Sequence, residues 1–312
     1  MKHNKIVVLG GSGFVGRHVV SALVSQEREV VVPTRVREHA KPLFLLPRVQ
    51  IPEVDVRDAV ALAAAIRGAD AVINLVGILH GTRRASFTDI HVGVTAAAIE
   101  ACRGNGISRL IQMSALNADP GGPSAYLRSK GEAQALVAAS GLDWTLFQPS
   151  VIFGPEDKFL NLFACLAKFL PVIYLAGAKA RFQPVHVGDV AAAMIAALDD
   201  DSTIGQRYPL CGPHVYTLRE LVEDASAQAG HRRLIVGLPE GLGMAQAWVL
   251  EHLPGKLLTR DNLLSMRVDC VCNCPFPAVF GGPPRAMEDT VPGYLSPTGE
   301  TDPFSGYRRR HR

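Results

Sequence analysis

The chain has 312 residues, of which 48% are hydrophobic and 20% are charged, and this balance excludes an intrinsically disordered protein. Thirty-two lysines and arginines against 29 acidic residues leave a formal charge of +3, which is too small a surplus to favour nucleic acid as a partner. The length predicts two domains, or one large α/β unit with an added lobe.

No run of about 18 uninterrupted apolar residues is present, so no transmembrane helix is expected. The N-terminal residues lack the pattern of a secretory signal peptide. Six cysteines in a chain of this length are too few for a disulfide scaffold. We therefore expect a cytoplasmic protein whose thiols are reduced.

Along the first half of the chain, short β-branched runs alternate with helical patterns, which predicts a parallel sheet covered by crossover helices. The predicted strands are residues 6–9, 29–33, 49–54, 71–76, 109–113 and 145–149. The predicted helices are residues 13–25, 59–66, 90–103 and 124–139. This order predicts a doubly wound sheet with its ligand at the carboxyl ends of the strands.

The alternation weakens after residue 149, where proline and glycine become frequent. We expect residues 1–150 to form the first domain, with a segment near 181–200 returning to it, and residues 151–312 to form a smaller lobe. In that lobe Thr217 and Glu220 have the spacing of a capping box, which predicts a helix over 218–229.

The last part of the chain, from residue 268 on, is rich in proline, glycine and cysteine and shows no clear periodicity. It ends in a basic tail at Arg308, Arg309, Arg310 and Arg312. We expect a solvated terminus there rather than a specific anion site.

A glycine-rich segment follows the first predicted strand and opens the first helix. Gly10 permits a sharp turn, Gly13 lets a pyrophosphate approach the backbone amides, and Gly16 lets the helix pack close to the sheet. The helix N-terminus offers N–H groups and a partial positive charge to phosphates. The alternative is an ordinary tight turn between strand and helix. The residues expected to bind a dinucleotide are Gly10, Gly11, Ser12, Gly13, Phe14, Val15, Gly16 and Arg17.

The second predicted strand is followed by Thr34 and Arg35, with no carboxylate. A carboxylate there would accept hydrogen bonds from the ribose 2′-hydroxyl of NAD, whereas Arg35 can donate two N–H groups to the 2′-phosphate of NADP. Arg17 is a second candidate cation. The sequence therefore favours NADP(H) over NAD(H), unless both arginines are exposed and make no contact.

Two more strand ends supply candidate cofactor residues. Asp55 and Val56 follow the third strand, where an acid can meet the adenine amino group. Leu75, Val76 and Gly77 follow the fourth strand, where a small residue lets a cofactor lie against the chain.

Tyr126 and Lys130 are four residues apart near the start of a predicted helix, so they project from one face. A lysine charge favours the phenolate and lowers the pKa of a tyrosine from about 10, which suits it to exchange a proton with an alcohol or carbonyl. Ser114 ends the fifth strand and can hydrogen-bond the same substrate oxygen. The alternative is a simple pair on the helix surface.

Cys270, Cys272 and Cys274 alternate along an extended segment. A structural zinc site pairs cysteines two to four residues apart and needs a second pair elsewhere, which the other three cysteines do not offer. We therefore expect no metal site here, and a set of reduced, partly buried thiols whose role is open.

Together these motifs resemble the short-chain dehydrogenase/reductase superfamily in its extended, atypical branch. The chain is similar in particular to NAD(P)-binding epimerase/dehydratase-like proteins of the subgroup that includes the 39-kDa-type accessory subunit of respiratory complex I. The resemblance implies an α/β fold: a Rossmann-type doubly wound parallel sheet with a smaller α+β C-terminal lobe. It is carried by residues 10–16, 55–58, 74–79, 114, 126–130, 149–154, 181–191, 216–221 and 263–266.

The resemblance also implies roles for single residues. Tyr126 would be the catalytic acid/base, Lys130 would bind the ribose and lower the pKa of Tyr126, and Ser114 would orient the substrate oxygen. The backbone from Pro149 through Val151 to Ile152 would face the nicotinamide amide.

One residue departs from the pattern. Extended members commonly carry an asparagine at the position of His91, so the proton relay or the helix geometry is expected to differ here.

The motifs and the resemblance together leave two candidate functions. The first is an NADP(H)-dependent oxidoreductase or epimerase that acts on an unknown small carbonyl or sugar-like substrate. The second is a non-catalytic, cofactor-stabilised accessory or assembly protein of a respiratory complex or a quinone-related enzyme, placed peripherally at the inner face of a membrane. Nucleic acid is not an expected partner.

Overall fold

The computed structural model describes residues 2–81 and 85–296, so the basic tail at 308–312 lies outside the described residues. In chain order the strands and helices are β1 (Lys5–Leu9), α1 (Phe14–Ser25), β2 (Glu29–Val31), β3 (Val49–Gln50), α2 (Ala59–Ala65), β4 (Ala71–Asn74), α3 (Val94–Gly104), β5 (Arg109–Met113), α4 (Ala125–Ala138), β6 (Asp143–Pro149), β7 (Ile152–Phe153), α5 (Leu160–Phe169), β8 (Val172–Leu175), β9 (Arg181–Phe182), β10 (Val185–His186), α6 (Val187–Asp199), β11 (Gln206–Leu210), β12 (Tyr216–Thr217), α7 (Leu218–Gln228), β13 (Leu234–Gly237), α8 (Glu240–Leu250), α9 (Arg260–Ser265), α10 (Met287–Thr290) and α11 (Pro292–Leu295).

The chain divides into two compact units. The first contains residues up to Pro149 together with Val187–Leu210 and Pro277–Gly282. The second contains Ser150–His186, Cys211–Phe276 and residues 283–296.

The first unit is built on a seven-stranded sheet in the order β11-β6-β5-β4-β1-β2-β3, and every neighbouring pair is parallel. Strand order reverses at β1, between β4 and β2, which is the point where a doubly wound sheet opens a crevice at its carboxyl edge. The predicted fold class, a Rossmann-type doubly wound sheet, is confirmed.

Apolar side chains on both faces explain why β1 and β4 are buried almost throughout. One core cluster joins Val72, Leu110 and Leu146 of the sheet to Leu62 of α2 and Ala98 of α3. The helices pack against one another in two groups, α1 with α6 and α2 with α3 and α4.

The edges of the sheet differ from the prediction. β3 is only two residues long, because Pro52 has no N–H to donate; the pairing continues only as an isolated bridge between Thr34 and Glu53. β11 is a seventh strand that was not predicted. Its polar residues and Pro209 are tolerated because it lies at the sheet edge.

The helix predicted from residue 90 begins differently. Thr88–Gly93 forms a π-helical turn, and the regular helix α3 starts only at Val94. Such turns add a residue to the helix and re-aim side chains, here including that of His91.

The second unit has three small pairs of strands: β7 with β10 and β8 with β13 are parallel, and β9 with β12 is antiparallel. Its core packs α5 against α7 and includes Phe153, Leu175 and Leu221. The predicted capping box of α7 is confirmed, with Thr217 and Glu220 exchanging both hydrogen bonds. None of the helices formed by residues 2–81 and 85–296 is long and apolar enough to cross a membrane.

The expectation that all thiols are reduced is wrong for two of them. Cys211 and Cys272 form a disulfide across 61 residues of sequence. Gln183 holds the two segments together, because its Nε2 donates to Gly212 O over 2.7 Å and its Oε1 accepts from Cys272 N over 3.0 Å. The free cysteines are Cys102, Cys165, Cys270 and Cys274.

Candidate functional site

The glycine turn after β1 lies directly against the end of β4. Gly10 has a φ of 76°, a conformation that side chains other than glycine rarely adopt. A Cβ on Gly10 would lie 3.1 Å from Leu75 C and 3.2 Å from Val76 N. Glycine is therefore required here both by the conformation and by the close backbone approach.

Gly16 lets the start of the helix approach the glycine turn closely. A Cβ on Gly16 would overlap Gly10 O and lie 2.5 Å from Gly11 Cα, so a larger residue would displace the helix from the turn. A Cβ on Gly11 would lie 2.8 Å from Val32 Cγ1. A larger residue at Gly11 would therefore also clash, as at Gly10 and Gly16. The spacing of the glycine motif did not predict this restriction at Gly11.

The first turn of α1 is open to an anion. Gly13 occupies the N-cap position in an extended conformation, no side chain caps the helix, and no acidic residue lies in its first turn. The Gly13 N–H itself donates to Gly10 O over 3.0 Å, so it closes the turn. The uncapped amides of the following residues carry the partial positive charge of the helix.

A groove runs along the carboxyl ends of β1, β2 and β4 in the first unit. Its lining residues are Gly10, Ser12, Pro33, Thr34, Arg35, His39, Val54, Asp55, Val56, Arg57, Val76, Gly77, Ile78, Ile90 and Val94. The structure thus brings together seven of the predicted cofactor residues in one depression. Arg17 is not among the lining residues, whereas His39 and Arg57, which were not predicted, are.

The charges in this groove are partly matched. The Arg57 guanidinium donates from Nε to both oxygens of Asp55 over 3.0 Å, and this hydrogen bonding lowers the pKa of the Asp55 carboxyl. The exposed Arg35 adds to the same effect through its charge. The Asp55 carboxylate in the groove is therefore held by Arg57 and ionised near neutral pH.

The loop after β4 is fixed by buried polar groups. Asn74 is 1% exposed; its Nδ2 donates to Gln112 Oε1 over 2.9 Å and its Oδ1 accepts from Val76 N over 3.1 Å. Leu75 N donates to Leu9 O over 2.9 Å, and its side chain is buried. Residues 75–77 are thus held rigidly beside the glycine turn.

The buried side chain of Lys130, on α4, lies beside this loop. The side chain is 4% exposed, and its Nζ donates to Met113 O over 3.4 Å. A Cβ on Gly77 would lie 3.2 Å from Lys130 Nζ, so glycine leaves the space in front of the ammonium open. Burial lowers the pKa of Lys130 to about 8.

Tyr126 lies one turn before Lys130, near the N-terminus of α4, where Ser124 caps the helix. Its half-buried ring packs edge-on against His91 at a centroid distance of 5.5 Å and against Phe87 at 6.0 Å. These two rings fix the direction of the tyrosine side chain.

His91 is 2% exposed and connects three segments. Its Nε2 accepts a hydrogen bond from Ile78 N over 3.1 Å, and its Nδ1 lies 2.8 Å from Ser129 Oγ. Burial, aided by the charge of Lys130, lowers the pKa of His91 to about 3, so the ring is neutral. With Nε2 accepting, the proton is on Nδ1 and is donated to Ser129 Oγ. Both nitrogens are thus occupied.

Ser114 is buried at the end of β5, and its Oγ accepts a hydrogen bond from Gln134 Nε2 over 2.6 Å. Gln134 in turn accepts from Gln148 Nε2 over 3.1 Å. The serine hydroxyl keeps its own proton to donate. Gln134 was missed by sequence reasoning, although it continues the spacing of Tyr126 and Lys130 by another four residues along the same helix face.

The last two predicted cofactor residues lie in different units. Pro149 ends β6 in the first unit, where its carbonyl accepts from Leu116 N over 3.0 Å. Val151 belongs to the second unit, packs against the core of that unit, and accepts from Val185 N over 2.9 Å.

Several features of the first unit fit a nicotinamide dinucleotide. A Cβ would fill the glycine cradle, the helix after it is uncapped, and a buried ammonium faces the open space at Gly77. Within the described residues, no group of three or more histidine, cysteine or acidic side chains is arranged to hold a metal ion.

Comparison with known proteins agrees with this geometry. A family model described as NAD(P)H-binding matches residues 10–201. The chain is 40% identical, over 69% of its length and 56% of the relative's, to subunit 9 of the NADH dehydrogenase [ubiquinone] 1 alpha subcomplex of Arabidopsis thaliana mitochondria. The corresponding mouse (Mus musculus) subunit is 34% identical over 69% of this chain and 59% of its own length. The chain thus spans less than two thirds of these relatives.

Two other proteins match over nearly their full length. An NAD(P)H azoreductase of Xenophilus azovorans is 29% identical over 94% of this chain and 99% of its own. The crystal structure of an NADPH-dependent quinone oxidoreductase from Escherichia coli in complex with NADPH superposes with a TM-score of 0.74 at 19% identity, over 92% of this chain and 98% of that one. The predicted relationship to NAD(P)-binding proteins and to the complex I accessory subunit is confirmed. The chain belongs to the NAD(P)H-binding family.

Proposed function

We propose that this protein binds NADP(H) in the groove of its first unit and acts as an oxidoreductase on a small carbonyl or sugar-like substrate. The observation that carries the proposal is the buried Lys130 ammonium, which faces the open space at Gly77 from the helix that also bears Tyr126. A buried charge with a lowered pKa beside a ligand groove is typical of a functional site.

The preference for NADP(H) rests on the charges that follow β2. Arg35 lines the groove, and none of residues 32–37, which follow β2, carries a carboxylate to accept a ribose 2′-hydroxyl. Glu38, the next acid in sequence, is exposed and pairs with Lys41. The carboxylate of Asp55 is already held by Arg57. A guanidinium suits a 2′-phosphate because it donates through two parallel N–H groups.

The roles of the remaining groups follow from their contacts. A bound nicotinamide supplies or accepts a hydride. Tyr126 donates a proton to the substrate oxygen, and Lys130 follows it by four residues on the same helix. Ser114 donates its hydroxyl proton to the same oxygen while Gln134 fixes its Oγ. His91, neutral with both nitrogens occupied, holds the site together without transferring a proton.

Relatives named for their activities favour reduction over epimerisation. One is the NAD(P)H azoreductase, and another, 28% identical over 75% of this chain, is the ceramide reductase of Caulobacter vibrioides. An NADPH-dependent quinone oxidoreductase shares the fold. We therefore favour a reductase that accepts a carbonyl or a chemically similar acceptor.

The cofactor assignment is tested by titrating the purified protein with NADPH and with NADH. NADPH is expected to bind at least about tenfold more tightly, as a charge-assisted contact to one phosphate provides. Arg35→Asp is expected to remove that preference. Arg37→Asp is the control, because Arg37 packs over Phe44, and this variant should keep the preference. Equal affinities for the two dinucleotides in the parent would contradict the assignment.

The catalytic assignment is tested with phenanthrenequinone as the acceptor and NADPH consumption as the signal. Tyr126→Phe is expected to lower kcat by at least about 100-fold, because general acid catalysis contributes on that scale, while NADPH still binds. Tyr208→Phe, a control at a half-buried ring packed against Phe147, keeps the parent rate. A Tyr126→Phe variant as active as the parent rules out the acid/base role.

A second candidate function is supported by the 40% identity to a complex I subunit. In it, the dinucleotide orders the fold, and the protein serves as an accessory or assembly factor of a respiratory complex or a quinone-related enzyme. Binding to the native state alone stabilises a protein, so retention of a cofactor needs no turnover. The protein is then cytoplasmic and peripheral at the inner face of a membrane. Three results would favour this function. The protein would sediment with native membranes and be released from them by salt. NADPH would stabilise Tyr126→Phe as much as the parent, and the parent would show no turnover.

A further inference from the structure

The second unit contains a groove that shares no lining residue with the dinucleotide groove. Its free volume is ≈ 920 Å³, in the range of small-molecule sites. The walls come from the loop after β8, the start of α7, the segment joining β13 to α8, and the helix α9 with the residues after it. All of these segments belong to the second unit.

Three cations and one carboxylate line this groove. Arg267 Nη2 pairs with Glu240 Oε1 over 2.7 Å, so these two charges neutralise each other. Lys179 is exposed and has no ion-pair partner among residues 2–81 and 85–296. Arg219 makes only a long contact of 3.7 Å with Glu223, and such a half-exposed pair is weak. Lys179 and Arg219 therefore leave a local positive charge in the groove.

The Arg219 head group is held in place before any ligand arrives. Its Nη1 donates to Ile235 O over 2.6 Å, and its backbone N–H donates to Ala178 O over 3.1 Å. A Cβ on Gly237 would lie 3.1 Å from Arg219 Nη2, so glycine leaves room for the guanidinium. A fixed guanidinium binds an anion with little loss of side-chain entropy.

The rest of the lining is largely apolar and includes Leu238, Met244, Leu263 and Met266. Gly177, with a φ of 68°, allows this packing, because a Cβ there would lie 2.9 Å from Met266 Sδ. Unbranched thioether side chains adapt to chains of different shape. The groove thus combines a fixed cationic site with an apolar wall.

We infer that this groove binds a phosphate monoester that carries an unbranched apolar chain, with the phosphate at Lys179 and Arg219. A phosphate monoester carries a charge of about −1.5 to −2 near neutral pH. This charge matches the two cations, Lys179 and the weakly paired Arg219. Inorganic phosphate would leave the apolar wall in water, and a neutral lipid would leave the two cations unmatched. The inference is independent of whether the first unit catalyses a reaction.

The test uses the full chain, saturated with NADPH, and n-decyl phosphate below its micelle concentration. We expect decyl phosphate to raise the thermal midpoint and to bind with a measurable Kd by calorimetry. Inorganic phosphate, decanol and decyltrimethylammonium at the same concentration are expected to shift the midpoint little. An equal shift with inorganic phosphate, or with the cationic detergent, would overturn the proposal.

Substitutions locate the site. Lys179→Ala is expected to weaken decyl phosphate binding about fivefold, as loss of one partly exposed charge pair does. Lys158→Ala removes an exposed lysine of the same unit that does not line the groove, and should leave the Kd unchanged. Met244→Glu places a negative charge in the wall and is expected to abolish binding. If Lys179→Ala binds decyl phosphate as tightly as the parent, the proposed site is wrong. This conclusion holds even if Met244→Glu fails to fold.

Discussion

The imidazole of His91 accepts a hydrogen bond from the backbone N–H of Ile78 through Nε2, at 3.1 Å. This contact ties the loop after β4 to the π-helical turn before α3, and the other ring nitrogen extends the link to Ser129 on α4. A protonated ring has no acceptor, so the link between the loop and the turn exists only while His91 is neutral.

We therefore expect acid to destabilise the protein through His91. Its pKa is 6.5 in the unfolded chain and about 3 in the folded one, so between these values only the unfolded state takes up the proton. The contribution to stability is complete above pH 6.5 and is lost as the pH falls towards 3. For this group alone, unfolding at pH 5 should require about 2 kcal/mol less than at pH 7.

Denaturant unfolding at both pH values measures this difference. His91→Gln should be less stable than the parent at pH 7, with a smaller loss on going to pH 5. His252→Gln, a change at an exposed histidine, should keep the parent's pH dependence. The same pH dependence in His91→Gln and the parent would show that another group is responsible.

Lys130→Met should stabilise the free protein at pH 7 while weakening NADP(H) binding. Below pH 8 the lysine is charged in both the folded and the unfolded state, and its burial disfavours the folded one; this penalty disappears as the pH rises from about 8 to 10.5. Methionine fills similar space without a charge, so a gain on the order of 2 kcal/mol is expected.

Denaturant unfolding without the cofactor, and an NADPH titration of each variant, check both halves of this expectation. Lys168→Met, at an exposed lysine of α5, serves as the control and should change neither quantity much. A Lys130→Met protein that is less stable than the parent at pH 7 and equally stable at pH 10.5 would contradict the account.

Gly16→Ala and Gly104→Ala form a matched pair of helix substitutions. The new methyl group at position 16 would overlap Gly10 O, whereas at position 104, the last residue of α3, nothing lies within 4 Å. We expect Gly16→Ala to cost about 1–3 kcal/mol of stability, as overpacking does, and to displace the turn enough to weaken NADPH binding. Gly104→Ala should be neutral or slightly stabilising. Unfolding curves and NADPH titrations of both variants measure these effects. Equal stability and equal NADPH affinity of the two variants would contradict the close packing of the turn and the helix.

The disulfide closes a loop of 61 residues, so its reduction should lower stability by about 4 kcal/mol in the chain-entropy model. Thiol titration of the denatured, unreduced protein should find four free thiols, and six after reduction. Cys211→Ser should be as stable as the reduced parent, and Cys165→Ser, at an exposed free thiol, should match the oxidised one. Six thiols in the unreduced protein would show that Cys211 and Cys272 are not joined.

The central sheet was predictable because its strands are short apolar runs separated by strong turn signals. The predicted strand 109–113 agrees with β5, and the predicted helix 124–139 differs from α4 by one residue at each end. β11 was missed because an edge strand needs no apolar face, and its polar sequence with Pro209 does not have a strand pattern.

Within the site, the glycine positions were predictable, but the contacts that constrain them were not. Gly16 meets Gly10 O, which depends on the path of the turn in three dimensions. The contact of Gln134 with Ser114 and the pairing of Cys211 with Cys272 join residues 20 and 61 positions apart. Such long-range pairs are set by the packing of elements, and a single sequence carries no local signal for them.

The buried ammonium of Lys130 would link the proposed cofactor binding to proton uptake. Met113 O is the hydrogen-bond acceptor that the described residues offer to its Nζ. A ribose hydroxyl at Nζ would add a second acceptor and raise the pKa of the lysine, so above about pH 8 binding of the dinucleotide would be accompanied by partial uptake of a proton. Thermodynamic reciprocity then requires the affinity to decline as the solution becomes more alkaline. The charge that weakens the empty fold would thus be the one that strengthens the binding of the dinucleotide.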